Sequence, residues 1–496
     1  MEEERVYKAH VIVFPFYGQG HLNPMLQFSK RLASKGLKVI VTTVLSVTKT
    51  MPSRAGSIAF EPVYDDCTEG GIQGPGGFKG YLDRFEASGT CCVTELIRKL
   101  ESSEYPVKCL VYDGNMPWAL NIAKQLGIAA AAFFTESCAA IASYYPMHLD
   151  LLGEPLPVLA FPMPALPEIR IPKMPLFGSD TSRYLPMIRY VLEQFSNIEK
   201  ADWVLFNSFD ELEGEVVKWM SNLWPVRTIG PTVPSIYLDK RADNDSDYGL
   251  QLYKPQNEDC LKWLNTKDTG SVVYVSFGSV ASLNAEQTAE MAEALKQNNN
   301  SFLWVVRSDE QSKLPSGFVE ETSEKGLVVT WCSQLEVLAH PAVGCFISHC
   351  GWNSTVEAIS FGVPVVAMPQ FLDQVTNAHF VEQVWGVGVI TKVDEKGVAT
   401  TVEIERCVGE VMQGERGKEI KKNAMRWKEL ATEAVDESGS EKINMERIID
   451  RANRLFVFNC INPYGETPFY RSDYTTFARQ YNKKLLDNIM KGNTHN

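Results

Sequence analysis

Short apolar runs rich in β-branched residues alternate with stretches of helical periodicity along most of the 496-residue chain. Strands separated by helices are typical of a parallel sheet that is covered by helices on its faces. The alternation is interrupted after residue 230 and restarts at residue 272, so we predict an α/β fold with two domains that face each other across a cleft. The predicted strands are residues 10–14, 37–44, 107–112, 129–134, 203–206, 272–277, 302–307, 327–330, 343–348 and 363–367.

The stretch between the two halves is polar and charged and contains few residues that could enter a core. Such a composition favours a linker, which we place at residues 241–258. The amino-terminal domain is then residues 1–240 and the carboxy-terminal domain is residues 259–456. Residues 457–496 carry no motif and are predicted to be an additional tail, whose order the sequence does not define.

The charge balance of the chain is acidic, with 48 basic and 61 acidic residues and a net charge of −13. This balance disfavours nucleic acid as a partner. The cysteine number is odd at 11, and their irregular spacing predicts free thiols and a cytoplasmic location. Since no apolar run reaches about 18 residues, we expect no membrane span. Cys345, His349 and Cys350 lack a fourth ligand at a suitable spacing, so we expect no metal site.

The segment FPFYGQGHLNP places His21 between the first predicted strand and a helical pattern over residues 22–35. Gly18 and Gly20 suggest a dinucleotide fingerprint, but the position of its third glycine is occupied by Asn23. A nicotinamide-dependent oxidoreductase is therefore disfavoured. Two interpretations of His21 remain open from these residues alone. It either fills the turn, or it is presented to a ligand at the carboxyl end of a parallel strand.

The densest cluster of unusual residue types spans residues 331–374. Within it, a predicted strand ends before His349, and Asn353 and Ser354 begin a helix. The free N–H groups of a helix amino terminus, with polar side chains beside them, make a suitable diphosphate site. Glu357 lies one turn further on and could bind ribose hydroxyls. Tryptophans such as Trp331 in this stretch are found in protein cores at least as often as in stacking platforms.

This 44-residue stretch resembles the plant secondary product glycosyltransferase box of the family 1 UDP-dependent glycosyltransferases. The resemblance extends over about residues 8–455 and includes GQGHLNP, the segment from Tyr112 to Trp118, and VSFGS at residues 275–279. Within the family, segments such as GPTVPSIYLDKR resemble the salicylate, thiohydroximate and triterpenoid glucosyltransferase group. The resemblance implies the GT-B fold, two Rossmann-like domains facing a cleft, with the last helix returning to the amino-terminal domain.

The resemblance also implies a set of donor-binding residues and a catalytic pair. His21 would be the general base, and Asp113 would fix its tautomer and stabilise the imidazolium. Trp331 would stack on uracil with Gln334 nearby, and Glu357 would bind ribose. The residues implied to hold the diphosphate are Ser279, His349, Asn353 and Ser354, and those implied to hold the sugar are Trp352, Asp373 and Gln374.

These roles imply an inverting enzyme that transfers glucose from UDP-glucose to a hydroxyl or carboxyl group of a small lipophilic acceptor. The co-substrate would be the only cofactor-like molecule, no metal would be needed, and we expect a monomer. A non-catalytic nucleotide-sugar sensor is disfavoured because both His21 and Asp113 are present. We expect loops within residues 64–79 and the proline-rich residues 151–175 to line the acceptor pocket. Phe371 and Leu372 depart from the usual box, where tryptophan and a small residue are common.

Overall fold

In the computed structural model, one sheet is formed by strands within residues 10–228 and a second by strands within residues 272–390. The structure describes residues 6–44, 54–55, 58–63, 76–149, 185–240, 245, 248, 256–436, 439–441 and 444–448. The described strands are β1 (His10–Phe14), β2 (Lys38–Val44), β3 (Arg54–Ala55), β4 (Ile58–Val63), β5 (Val107–Asp113), β6 (Ala129–Phe134), β7 (Trp203–Phe206), β8 (Val226–Thr228), β9 (Val272–Ser276), β10 (Ser301–Val305), β11 (Gly326–Val329), β12 (Val343–Ser348), β13 (Val365–Ala367) and β14 (Gly388–Ile390).

Helices connect most of these strands and cover the faces of the sheets. The described α-helices are α1 (Gln19–Ser34), α2 (Gly77–Leu100), α3 (Pro117–Gln125), α4 (Cys138–Leu149), α5 (Leu185–Glu193), α6 (Asp210–Met220), α7 (Asn257–Leu264), α8 (Ala285–Gln297), α9 (Phe318–Glu321), α10 (Gln334–Ala339), α11 (Trp352–Phe361), α12 (Asp373–His379), α13 (Thr401–Met412) and α14 (Gly414–Val435). The prediction of two α/β units is confirmed.

Among the described residues, the first sheet has eight strands in the order β3-β4-β2-β1-β5-β6-β7-β8, of which only the β3–β4 pair is antiparallel. Strand β1 lies at the centre, where Val11 pairs with Val39 of β2 on one side and with Cys109 of β5 on the other. The strand order reverses between β1 and β5. Loops that leave the carboxyl ends of β1 and β5 therefore diverge and open a crevice, which is where parallel sheets bind ligands.

The second sheet repeats this plan with six parallel strands in the order β11-β10-β9-β12-β13-β14. Its strand order reverses between β9 and β12, where Tyr274 pairs with Phe346. The edge strand β11 is mostly half-buried, whereas every residue of the inner strands β9 and β13 is buried. Continuous burial explains why these strands were readable as uninterrupted apolar runs.

All ten predicted strands are present, but the structure adds β3, β4, β8 and β14, which the sequence analysis did not predict. The strands at residues 129–134, 203–206 and 343–348 have the predicted bounds. The strand predicted from residue 363 begins only at Val365, because Pro364 lacks a backbone donor and restricts the residue before it. Helix α1 begins at Gln19 rather than at residue 22, so His21 lies in the first helical turn.

Part of the predicted linker and all of the predicted tail fall outside the described residues. Of residues 241–258, the structure describes 245, 248 and 256–258. Because α7 begins at Asn257, the last two of these residues are helical rather than linker. Residues 457–496 lie outside the described part of the chain, so the prediction of a separate tail stays a prediction.

Hydrogen bonds from buried side chains join the two halves. Trp352 Nε1 donates to the carbonyl oxygen of Asn207 at 2.8 Å, and Trp385 Nε1 donates to that of Leu212 at 3.1 Å. Near the end of the described chain, Asn444 Nδ2 donates to the carbonyl oxygen of Thr228 in β8 at 3.0 Å. Since a buried indole N–H needs a partner, these contacts stabilise one relative placement of the two sheets.

A buried carboxylate in α6 caps the helix that follows β6. Glu213 is 2% exposed and accepts hydrogen bonds from the backbone nitrogens of Cys138 and Ala139 at 3.1 and 2.9 Å. It also accepts one from Ser208 Oγ at 2.7 Å. The first N–H groups of a helix have no partner within the helix, so Glu213 satisfies donors that would otherwise be buried and unpaired.

We therefore predict that Glu213→Ala lowers the free energy of unfolding by about 2 kcal/mol or more, because it leaves buried donors without an acceptor. Denaturant-induced unfolding, followed by circular dichroism, measures this change. Glu215→Ala, an exposed change in the same helix, is the control and should change stability by less than about 0.5 kcal/mol. Equal stability of the two variants would contradict the capping role.

Candidate active site

The structure places His21 and Asp113 in contact at the switch point of the first sheet. His21 Nδ1 lies 2.8 Å from Asp113 Oδ2. Asp113, the last residue of β5, is 1% exposed, whereas the His21 side chain is 24% exposed. The carboxylate also accepts hydrogen bonds from the backbone nitrogens of Phe16 at 3.3 Å and Asn115 at 3.1 Å. These bonds fix Asp113, which in turn orients the imidazole and leaves Nε2 to exchange a proton.

The charge of His21 depends on opposing effects. Burial favours the neutral ring, but the charge and hydrogen bond of Asp113, with smaller contributions from Glu136 and Asp373, raise the pKa of His21 to about 9. The imidazolium is therefore stabilised. A histidine in this environment holds a proton firmly once it has accepted one, and it becomes a free base only at alkaline pH.

Two residues of this site were missed by the sequence analysis. Thr135 Oγ1 lies 3.1 Å from His21 Nδ1, and Glu136 comes next in the chain. Both follow β6, which is paired with β5. The carboxyl ends of neighbouring parallel strands lie at the same edge of the sheet. The sequence signal for them is that both directly follow the predicted strand at residues 129–134.

His349 lies at the switch point of the second sheet, after β12 and beside the turn that follows β9. Burial and the nearby Arg307 lower the pKa of His349 to about 4, so its ring is neutral at pH 7 and offers one donor and one acceptor. Within the described part of the chain, its buried Nδ1 atom has no hydrogen-bond partner. Ser279, half-buried, follows Gly278 in the adjacent turn.

Two glycines leave the space that this imidazole occupies. A Cβ atom at Gly278 would lie 2.9 Å from the His349 ring, and one at Gly351 would lie 2.5 Å from it. Gly278 also has a φ of +69°, which favours glycine. Any residue other than glycine at position 278 or 351 would therefore push the His349 ring away from these two turns.

The first turns of α11 carry a network of polar side chains. Gln334 Nε2 donates to Ser354 Oγ at 2.9 Å and to Glu357 Oε2 at 2.7 Å. The Tyr248 hydroxyl donates to Glu357 Oε1 at 2.8 Å. Burial raises the pKa of Glu357 to about 7, against the two hydrogen bonds. Both oxygens of Glu357 are thus engaged, so a ribose hydroxyl bound there would share an oxygen with Tyr248 or Gln334.

The side chain of Asn353 forms its hydrogen bond with the first half of the molecule rather than with its own helix. Its Nδ2 atom donates to the carbonyl oxygen of Gly20 at 2.7 Å, next to His21. Its buried Oδ1 atom has no partner within the described residues. Trp331 is half-buried, and its carbonyl oxygen accepts from the backbone nitrogen of Gln256 at 2.9 Å.

Asp373 and Gln374 begin α12 and face the same cleft region. Asn377 Nδ2 donates to Asp373 Oδ2 at 2.8 Å, and the backbone N–H of Trp352 also donates to this carboxylate. Burial raises the pKa of Asp373 to about 6. Gln374 Oε1 accepts from the backbone nitrogens of Gln370 and Phe371 at 2.9 and 3.1 Å. The amide orientation of Gln374 is therefore set, with Nε2 as its donating end.

Trp352 differs from the expectation that its side chain holds the sugar. The residue is 2% exposed, and its indole N–H is bonded to Asn207 across the domain contact. Its ring packs near that of Trp385, with centroids 6.2 Å apart. Because its side chain is used in the interface, only its backbone reaches the site, through Asp373.

A cavity of about 890 Å³ opens beside the His21 region of the first half. Phe16 connects the two, because its ring lies 5.4 Å from the His21 ring and 5.7 Å from that of Phe85. The predicted pocket loops contribute Phe78 and Lys79, while residues 64–75 and 151–175 lie outside the described chain. The lining residues are Phe78, Lys79, Leu82, Asp83, Phe85, Glu86, Asn115, Pro117, Trp118, Asn121, Arg189, Tyr190, Glu193, Ser196 and Asn197.

The described ranges contain neither a metal-binding cluster nor a membrane-spanning helix. No group of three or more His, Cys, Asp or Glu side chains there is placed to hold a metal ion. Cys345 and Cys350, which flank the His349 segment, are buried free thiols. No α-helix in the same ranges has both the length and the apolar character needed to cross a membrane.

The molecule has two Rossmann-like units whose switch points face each other. The second unit presents the polar start of α11, and the first presents the His21–Asp113 pair. Together these features define a two-domain glycosyltransferase architecture. The family model described as "UDP-glucoronosyl and UDP-glucosyl transferase" matches residues 217–434. UDP-glucosyl transferase 74CD1 of Saponaria officinalis is 46% identical, with 91% of this chain and 99% of the relative covered. Mogroside I-E synthase of Siraitia grosvenorii is 47% identical, with coverage of 89% and 98%.

Solved structures show the same relationship. The crystal structure of Os79 from O. sativa in complex with UDP has a TM-score of 0.82 and 36% identity, and the match covers 89% of this chain and all of that one. The chain belongs to the plant family 1 UDP-glycosyltransferases and has their GT-B fold. It is a glycosyltransferase that uses a UDP-sugar donor.

The environment of His21 generates a prediction that does not depend on activity. We expect its imidazole to titrate near pH 9, as measured by NMR of protein labelled at histidine with ¹³C and assigned with a His21→Gln variant. Asp113→Asn should lower this midpoint by more than one pH unit, because it removes the charge that stabilises the imidazolium. Asp83→Asn, at an exposed position, is the control. A midpoint near 6.5 that Asp113→Asn leaves unchanged would refute this description.

Proposed function

We propose that the protein transfers glucose from UDP-glucose to a hydroxyl or carboxyl group of a small lipophilic acceptor, with inversion at the anomeric carbon. The observation that carries the proposal is the His21–Asp113 pair, 2.8 Å apart. Phe16 connects this pair to the cavity, and the start of α11 lies opposite it. A base, an acceptor pocket and a helix amino terminus are the three parts that such a transfer needs.

The proposed donor site runs along the cleft face of the second half. Uracil would stack on Trp331, and Glu357 would take a ribose hydroxyl in exchange for part of its bonding to Tyr248 and Gln334. The diphosphate would lie at the start of α11, where free N–H groups and the helix dipole favour negative charge. The diphosphate ligands that we propose are Ser279, His349, Asn353 and Ser354, and the sugar ligands are Asp373, Gln374 and the backbone of Trp352.

In the proposed reaction, the acceptor oxygen attacks the anomeric carbon while His21 Nε2 takes its proton. The bond to UDP breaks in the same displacement, so the configuration inverts. Asp113 stabilises the imidazolium that forms. The helix start and the neutral His349 ring stabilise charge on the leaving UDP without a metal ion. UDP-glucose is then a co-substrate, and no further cofactor takes part.

We infer that the amino-terminal domain, residues 1–240, binds the acceptor and that the carboxy-terminal domain, residues 259–456, binds the donor. Residues 241–258 would link the two domains. One chain supplies both sides of the proposed site, which supports function as a monomer. The nine cysteines in the described part of the chain are free thiols, a pattern that supports a cytoplasmic location.

The acceptor that we propose is a polycyclic secondary metabolite of triterpenoid size, with phenolics and carboxylic acids as further candidates. A cavity of about 890 Å³ lies near the upper end of typical ligand pockets. One relative is named mogroside I-E synthase, another is named as a flavonol 7-O-β-glucosyltransferase, and Os79 was crystallised with a trichothecene.

A mass-spectrometric screen tests this assignment. Purified protein is incubated with UDP-glucose and separate panels of triterpene alcohols, phenolics and carboxylic acids, and products heavier by one hexosyl group are sought. We expect products in at least one panel, with triterpene alcohols used best. Absence of a hexosylated product from every panel, with UDP-glucose bound, would contradict the proposed function.

The orientation of Gln374 predicts a preference between donor epimers. Glucose and galactose differ at one hydroxyl, and a buried polar group left unpaired by the wrong epimer costs about 1–3 kcal/mol. We predict that kcat/KM is at least about tenfold higher with UDP-glucose than with UDP-galactose, which corresponds to about 1.4 kcal/mol. Gln374→Ala should narrow this gap chiefly by slowing glucose transfer.

Both donors are compared at saturating concentration of one fixed acceptor. Gln383→Ala, at an exposed position, serves as the control and should keep the wild-type ratio. Equal kcat/KM for the two donors in the unmutated enzyme, or a preference for galactose, would show that Gln374 does not determine donor choice.

A further inference from the structure

Glu136 lies between His21, the proposed base, and Asp373, a proposed sugar ligand. It has no part in the donor site or the reaction proposed above. The residue before it, Thr135, has its Oγ1 atom 3.1 Å from His21 Nδ1. The residue after it, Ser137, donates from Oγ to Asn377 Oδ1 at 2.8 Å. Asn377 Nδ2 donates to Asp373 Oδ2 at 2.8 Å. The two neighbours of Glu136 are thus tied to opposite sides of the reaction centre.

The Glu136 carboxylate is half-buried and retains capacity to accept hydrogen bonds. Its own backbone N–H donates to it, and none of the side-chain hydrogen bonds found among the described residues involves it. The titratable side chains close enough to interact with it electrostatically are His21 of α1, Asp113 of β5, Asp373 of α12, Tyr144 of α4 and Tyr190 of α5.

Three carboxylates, those of Asp113, Glu136 and Asp373, are therefore close enough to His21 to raise its pKa, and that of Asp113 is in direct contact with the ring. His21 must be neutral to accept the proton of the acceptor, so in the reactive state its ring does not compensate the charges of Asp113, Glu136 and Asp373. Burial raises the pKa of Glu136 to about 7 and that of Asp373 to about 6. At pH 8 both are ionised, and a low-dielectric cleft makes a further negative charge costly.

We propose that Glu136 selects the acceptor group, favouring neutral hydroxyls over carboxylates. A hydroxyl can donate its hydrogen toward the carboxylates before His21 removes it, whereas a carboxylate has no hydrogen to donate and adds a like charge. The inference rests on the proposed function, in which His21 activates the acceptor, and it narrows the hydroxyl or carboxyl alternative to the hydroxyl. Glu136 is a specificity residue in this role, not the base.

The test compares 4-phenylbenzyl alcohol with 4-phenylbenzoate, two lipophilic acceptors that share a biphenyl body. We measure kcat/KM for both at pH 8 with UDP-glucose, in the wild type and in Glu136→Gln. The wild type should prefer the alcohol by at least about tenfold, and Glu136→Gln should reduce that ratio about tenfold or more, chiefly by raising transfer to the benzoate. Glu215→Gln, an exposed carboxylate outside the cavity, should leave the ratio within about twofold.

A second readout separates this role from a purely structural one. Because Glu136 helps to raise the pKa of His21, Glu136→Gln should move the acidic limb of the alcohol profile to lower pH. A structural defect would lower both acceptors' rates equally and leave that limb in place. An unchanged alcohol-to-benzoate ratio in active Glu136→Gln would overturn the inference.

If Glu136→Gln fails to fold, the pH dependence of the alcohol-to-benzoate ratio in the wild type still tests the role of Glu136. Glu136 ionises around pH 7, so the alcohol preference should grow between pH 6 and pH 8 beyond what the His21 titration gives. The His21 contribution is measured independently by NMR. If the titration of His21 explains the whole change in alcohol preference between pH 6 and pH 8, the role of Glu136 is refuted. Failure of the wild type to transfer glucose to any acceptor would instead refute the proposed function.

Discussion

A hydrogen bond of 2.7 Å from Asn353 Nδ2 to the Gly20 carbonyl joins the two switch points of the molecule. Gly20 directly precedes His21 in α1, and Asn353 lies in the first turn of α11. The helix that carries the proposed base and the helix that carries the proposed diphosphate site are therefore held start to start. Transfer between two bound substrates depends on alignment within about 1 Å, and this contact couples the two sites directly.

The rest of the contact between the halves supports this alignment with buried polar groups. Trp352 and Trp385 each donate an indole N–H to a carbonyl oxygen of the other half. Asp245, in the predicted linker, accepts from Lys30 Nζ of α1 at 2.9 Å, and Tyr248 reaches Glu357 in α11. A ribose hydroxyl at Glu357 would compete with Tyr248, so donor binding and the position of the linker are linked.

The sequence predicted strands well because buried parallel strands leave continuous apolar runs, as at residues 129–134. It also indicated which strand ends carry polar residues, and His21 and Asp113 do meet. Glu136 follows a predicted strand in the same way, but the sequence does not show which way a side chain turns after a strand, so its position near His21 was not predicted. Trp352 illustrates the same limit, because an aromatic residue in the box does not reveal that its indole N–H is bonded to Asn207. Such partners depend on packing between distant segments.

The central claim is that one half supplies the base and the other binds the nucleotide. Its most direct test is His21→Ala, with glucose transfer to an alcohol acceptor and UDP affinity by calorimetry measured on the same preparation. The account predicts a loss of about 10² to 10⁴ in kcat, as for removal of a general base, and a UDP Kd within about twofold of wild type. Near wild-type turnover, or loss of UDP binding together with activity, would contradict it.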